Sequence, residues 1–166
     1  FSPALSKLLP IFTKETGINT QIISGSSGSL YLQILHGAPF DVFISADTIR
    51  PKELAVQKKI IVNSRQTYAF GQLALWSAID KNYSLKKLTT TPQRFAIANP
   101  ATAPYGKAAK QVLEHLQLWS QYQTKLITGN NINQTFEQIR SQAVAAGIIA
   151  NSQLKLNQLQ GIIIPS

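Results

Sequence analysis

The sequence predicts an α/β fold in two lobes, with a mostly parallel sheet in each. Three observations lead there. Strand-like and helix-like segments alternate along the chain, which is the pattern of α/β layers. Two of the strand-like segments, Asp41–Ser45 and Arg94–Asn99, are apolar almost throughout, as strands covered on both faces are. After Ala78 the composition turns polar as far as Gln93, with Leu85 and Leu88 as the main apolar anchors, and a lobe boundary is placed there. This divides the chain into a first lobe, 1–78, a second lobe, 79–158, and a final segment, 159–166, that starts back towards the first lobe.

The elements follow in order. Leu5, Leu8, Leu9 and Phe12 share one face of a helix over Pro3–Lys14, which Pro10 should kink and Thr16-Gly17 should end. The alternating run from Ile18 to Ser24 reads as a strand, and Leu30–Leu35 as a short helix ending at Gly37. A strand over Asp41–Ser45 leads to Asp47, a good N-cap for a helix reaching about Lys58, with Pro51 tolerable in its first turn. Ile60–Val62 and Thr67–Ala78 read as strands, and 79–93 holds a short helix. Arg94–Asn99 is a buried strand, followed by an amphipathic helix with Ala108, Val112, Leu113 and Leu116 inward. Lys125–Thr128 is a strand, and Ile132, Phe136 and Ile139 mark one face of the next helix. Ala146–Ala150 and Gly161–Pro165 are the last strands.

Composition narrows the function classes. The chain has 166 residues, 44% of them apolar, and no apolar run long enough to span a bilayer. No signal-peptide pattern precedes the first helix. With no cysteine there are no disulfides or thiolate metal sites. The two histidines, His36 and His115, fall on different helices without acidic company, so no metal site is expected. Lys and Arg total 16 against 7 Asp and Glu, a formal charge of +9. These cations are scattered singly or in pairs, which favours a solvated basic surface over a nucleic acid footprint, though a basic module for nucleic acid or another polyanion is the competing class.

The stretch that carries most chemistry is Gly25-Ser26-Ser27-Gly28-Ser29, between a predicted strand and a predicted helix. The first turn of a helix leaves backbone N–H groups without partners and carries a partial positive charge. Small hydroxyl and glycine residues there admit an anion and add donors. The alternative is an N-cap serine in a polar turn. The arrangement recurs at Thr102–Lys107 and again at Gly129–Asn133. No enzyme is expected: neither histidine has an orienting partner, and no Gly-x-Ser-x-Gly elbow surrounds Ser27.

On these residues the chain resembles the molybdate-binding proteins of ABC importers, within the periplasmic binding protein class. The segment Gly25–Leu30 continues through Gly37-Ala38-Pro39 to Asp41-Val42-Phe43-Ile44-Ser45-Ala46-Asp47 in that family's pattern. Ala98-Asn99-Pro100, Pro104-Tyr105-Gly106 and Ala146–Ala150 match as well, so the resemblance runs along nearly the whole chain. It implies two lobes closing on a tetrahedral oxyanion, molybdate or tungstate, with sulfate as the alternative. It also implies a periplasmic monomer without cofactor or metal cation that serves a membrane permease. Carried over by position, Ser27 is the hydroxyl and amide donor of the first lobe. Tyr105 and Ile132 are amide donors at helix starts in the second lobe, and Ser26 is a neighbouring candidate. Some members place a tyrosine donor where this chain has Ala150, and Tyr105 would supply that hydroxyl instead. The family pattern also expects a first strand before Phe1, with its own ligand residue, and a return to the first lobe beyond Ser166.

Overall fold

The computed structural model describes residues 2–90 and 93–165. Five short strands, β1 (Leu73–Trp76), β2 (Phe95–Ala98), β3 (Leu126–Gly129), β4 (Ala146–Ala150) and β5 (Ile162–Ile163), form one sheet in the order β3-β2-β4-β1-β5. β2 runs parallel to both β3 and β4, whereas β1 is antiparallel to β4 and to β5. Among the described residues eight helices accompany it: α1 (Ser2–Thr16), α2 (Ser27–Leu35), α3 (Ile49–Val56), α4 (Leu85–Thr90), α5 (Pro104–His115), α6 (Trp119–Tyr122), α7 (Ile132–Arg140) and α8 (Asn151–Leu156).

Side-chain alternation along the strands builds two apolar layers. Leu75, Phe95, Ile97 and Ile148 face one way and pack with Ala109 and Leu113 of α5 and with Tyr122. Ala74, Trp76, Ala96 and Ile149 face the other way and pack with Phe136 and Ile139 of α7. Trp76 stacks on Phe136 at 5.1 Å between ring centroids, and Phe95 meets Tyr122 edge-on at 5.2 Å. The Tyr122 hydroxyl donates to the Leu88 carbonyl at 2.8 Å, which ties α4 to the same layer.

Several expectations change. The predicted strands over 18–24, 41–45 and 60–62 do not form, so among the described residues the first lobe has no sheet; it consists of α1–α3 and extended connections. Alternation and β-branching suit a half-buried pleat, but a strand exists only through a neighbour that accepts its ladder. Here no neighbour pairs with these segments, and Val42, Ile61 and Val62 stand 77%, 81% and 84% exposed. The long strand expected over Thr67–Ala78 shrinks to β1, and β1 joins the sheet of the second lobe rather than the first. β5, read as the start of a return to the first lobe, lies on the outer side of β1. The sheet thus gathers chain from both sides of the boundary placed at Ala78, and it is mixed, with its parallel part confined to β3-β2-β4.

Smaller differences have local causes. α1 runs without interruption through Pro10 and closes at Gly17, whose N–H donates to the Thr13 carbonyl at 2.8 Å. On α5 the fully buried alanine is Ala109, one position after the one expected, while Val112 and Leu116 flank the core. Helices α6 and α8 have only 4 and 6 residues, too short for an apolar period to show in sequence. Of the helix expected within 79–93, Leu85–Thr90 forms, and residues 91 and 92 lie outside the described residues.

Parallel strands followed directly by helices put three helix starts on one edge of the sheet. β2 leads into α5, β3 into α7 and β4 into α8. Ala98 and Gly129 are in register at the ends of β2 and β3, and the Asn99 N–H donates to the Gly129 carbonyl at 2.8 Å. Ligands in open α/β sheets lie off this edge.

Candidate oxyanion site

The first lobe meets that edge through the start of α2. The Gly28 N–H donates to the carbonyl of Thr102, just before α5, at 2.9 Å. The approach is close enough that a Cβ on Gly28 would lie 2.5 Å from that carbonyl oxygen. A second approach brings the Tyr105 hydroxyl against Gly71, where a side chain would collide with it. The serine turn and the two second-lobe turns singled out in the sequence therefore lie side by side, joined by Gly28–Thr102 and Asn99–Gly129.

Where the backbone donors of each helix start go decides what the place can hold. On α2, Gly28 is bonded to Thr102, Ser29 N–H donates to Ser26 Oγ at 3.2 Å, and Leu30 N–H to the Ser26 carbonyl at 3.0 Å. On α7, Asn133 and Gln134 both donate to Asn131 Oδ1 at 3.0 Å, and Thr135 to the Asn131 carbonyl at 3.1 Å. On α5, Pro104 has no N–H, and Lys107 donates to the Ala103 carbonyl at 3.0 Å. Among the described residues this leaves the N–H groups of Ser27 on α2, Tyr105 and Gly106 on α5, and Ile132 on α7 without a protein acceptor. Ser27, Tyr105 and Ile132 are the positions for which the family resemblance implies amide donors, and Gly106 is a fourth orphan beside Tyr105. An orphan helix-start amide is an ordinary anion donor.

The side chains sort differently. Ser27 is 6% exposed, and its Oγ accepts the Ala46 N–H at 2.9 Å, which leaves the hydroxyl hydrogen to donate elsewhere. Ser26 is the N-cap: its Oγ accepts from Ser29 N–H and lies 2.8 Å from Ser29 Oγ, so its hydroxyl is engaged within α2. Tyr105 is half-buried, and burial raises its pKa above the ordinary phenol value. Its hydroxyl stays protonated, a neutral donor, at neutral pH. Tyr68 lies near it, raised first by its own burial and then by Tyr105, and donates to the Ser45 carbonyl at 3.0 Å. Ile132 is half-buried, and only its backbone can act on a ligand.

Sequence reading missed the groups that hold these donors in place. Gln153 joins the end of β4 to the start of α7: its Oε1 accepts Ala150 N–H at 3.1 Å and its Nε2 donates to the Ile132 carbonyl at 3.1 Å. Asn151 ties α8 to the segment before β1, donating from its backbone to the Gln72 carbonyl at 2.9 Å and from Nδ2 to Gln72 Oε1 at 3.1 Å. Asp47 caps α3 by accepting Arg50 N–H at 3.0 Å, and the Arg50 guanidinium pairs with the same carboxylate. A lone Gln or Asn in a polar stretch gives no sequence signal. The Asp47–Arg50 spacing was visible only as a helix cap. Among the described residues no three His, Cys, Asp or Glu side chains group to hold a metal ion, and no helix is long and apolar enough to cross a membrane.

A helical first lobe that meets an α/β sheet lobe at helix starts, with neutral donors in the seam, is the arrangement of a solute-binding protein. The profile of the bacterial extracellular solute-binding protein family matches residues 1–165, and the chain belongs to that family. It is 38% identical over 159 residues to the molybdate-binding protein ModA of Rhodobacter capsulatus and, over the same length, to that of Azotobacter vinelandii. These matches cover 93% of this chain and 62% of each relative. The chain thus spans less than two thirds of the length of these relatives. Its structure superposes on the periplasmic molybdate-binding protein of Azotobacter vinelandii with a TM-score of 0.85 at 40% identity, covering 92% of this chain and 68% of that one. A substrate-binding domain of a putative molybdenum ABC transporter from Clostridium difficile matches with a TM-score of 0.67 at 27% identity, over 99% of this chain and 72% of that one.

Proposed function

We propose that this chain binds a tetrahedral oxyanion dianion, molybdate or tungstate, between its lobes and delivers it to an ABC import permease. It does so as a periplasmic monomer, with no cofactor, no metal cation and no nucleic acid partner. The single observation that carries the reading is the set of unpaired amides at three adjoining helix starts: Ser27, Tyr105 with Gly106, and Ile132. The names of the relatives point the same way.

The physics is replacement of a hydration shell. A dianion entering a dry seam loses its water, and each oxygen must regain donors. Hydrogen bonds to an ionised partner are short and strong. Ser27 N–H and Oγ–H would act from the first lobe, and Tyr105 N–H, Tyr105 Oη and Ile132 N–H from the second. Ser26 then serves as the cap that orients Ser27. Because the donors come from both lobes, binding and closure are coupled, and the closed form is what a permease would read. Sulfate has the same charge and shape, so cavity size separates it from the larger anions.

The test is calorimetric titration with molybdate, tungstate and sulfate side by side, with melting curves on the same samples. Molybdate and tungstate should saturate at one ion per chain. At about a hundred times the dissociation constant they should add about 2.7 kcal/mol of stability. Unchanged melting with molybdate and tungstate, alongside a rise with a different anion, would overturn the substrate assignment. Steep salt dependence with long polyanions in place of small ones would favour the basic-module class instead.

A further inference from the structure

The seam contains one charged pair that the donor set above does not use. Arg50 Nη1 pairs with Asp47 Oδ2, and the two side chains are only 20% and 16% exposed. The other guanidinium nitrogen, Nη2, lies 3.0 Å from the point where a Gly28 Cβ would sit, next to the Thr102 carbonyl across the seam. Asp47 is held close to Ser27: Ala46 N–H donates to Ser27 Oγ at 2.9 Å, and Asp47 follows directly in the chain. Its carboxylate also accepts from Arg50 N–H and from Ser45 Oγ, at 3.0 and 3.3 Å. A paired negative and positive charge, both mostly removed from water, therefore lie close to the first-lobe donor. Glu53 and Tyr31 are the other titratable groups close to Arg50.

We propose that the Asp47–Arg50 pair sets the electrostatic balance of the anion seam, with Arg50 as a positioning residue that neutralises Asp47 and turns a guanidinium edge toward Gly28 and Thr102. This rests on the oxyanion reading and extends it to charge selectivity. Asp47 is needed locally, because it caps α3 and orders the Ser45–Asp47 turn whose amide holds Ser27. Left alone, that carboxylate would repel any dianion at Ser27. Paired, its charge is cancelled, and Nη2 adds a favourable positive edge. The interaction with a ligand scales with the ligand's charge. The pair should therefore discriminate molybdate from a singly charged tetrahedral anion of similar size, such as perrhenate.

The experiment is a charge cycle on the full chain. Arg50→Gln, Asp47→Asn and the double variant are titrated with molybdate and with perrhenate at two salt concentrations, each after a melting curve that confirms folding. Arg50→Gln should bind molybdate at least about tenfold more weakly, with a smaller loss for perrhenate. Asp47→Asn, which keeps a capping side chain, should bind molybdate more tightly than the unaltered chain. The double variant should return to within about threefold of it, because both charges are gone. Losses in Arg50→Gln that the second substitution does not restore, or equal effects on both anions, would overturn the proposal. If the unaltered chain binds and all three variants match it, the proposal alone fails. If the unaltered chain binds none of molybdate, tungstate and sulfate, the oxyanion reading fails and takes this one with it. Should Arg50→Gln not fold, Asp47→Asn alone decides, since tighter molybdate binding by it, with a smaller gain for perrhenate, is required in either case, and unchanged or weaker binding overturns the proposal.

Discussion

Gly28→Ala is expected to weaken molybdate binding by about 1–3 kcal/mol, up to roughly a hundredfold in dissociation constant. The cause is geometric. Gly28 lies at the closest approach of the two lobes, with its N–H on the Thr102 carbonyl at 2.9 Å and no room for a Cβ, which would fall 2.5 Å from that oxygen. Backbone stands on the far side, so the lobes must separate to admit a methyl group. Separation breaks the Gly28–Thr102 hydrogen bond and draws the Ser27 donors away from those of Tyr105 and Ile132. Melting without ligand should change far less, since Gly28 packs outside both apolar layers of the sheet. Calorimetry on the variant checks this. Unchanged affinity would mean that Gly28 and Thr102 do not define the closed seam.

Phe95→Ala should cost about 3–5 kcal/mol of stability, the range for emptying a large aromatic site in a packed core. Phe95 is 1% exposed on a strand paired on both sides, and it meets Tyr122, which in turn holds Leu88. Removing the ring therefore loosens α4 and α6 as well as the layer under α5. For a domain of this length the melting temperature should fall by roughly 6–20 °C. Thermal unfolding followed by circular dichroism measures it. A fall of only a degree or two would show that the layer around Phe95 does not carry the fold.

Much of the second lobe was legible because period and burial agree there. Phe95–Ala98 and Ala146–Ala150 are apolar throughout, and they occupy the middle of the sheet, covered on both faces. Phe136 and Ile139 announced the face of α7 that packs, whereas Ile132, expected on the same face, is only half-buried and lies outside that layer. The first lobe misled for a physical reason. Ile18–Ser24 and Asp41–Ser45 have the alternation or apolarity of strands, yet pairing is a property of two segments, and nothing in a strand's own residues shows whether a partner lies beside it. The site divides along the same line. Local chemistry marked the three turns at 25–29, 102–107 and 129–133, and the family resemblance singled out Ser27, Tyr105 and Ile132 within them. The contacts that fix them, Gly28 to Thr102 and Gln153 to Ile132, join positions 74 and 21 residues apart, and no local pattern carries such a pairing.

The central claim is that amides at helix starts on both lobes take the place of water around one dianion. The direct measurement is the amide proton and nitrogen shifts of Ser27, Tyr105 and Ile132 by nuclear magnetic resonance as molybdate is added. The account predicts that all three move downfield together and saturate at one ion per chain, while Ser29, Asn133 and Gln134, already bonded within their caps, move little. Saturable binding that leaves those three amides where they were, or shifts those of one lobe only, would contradict it.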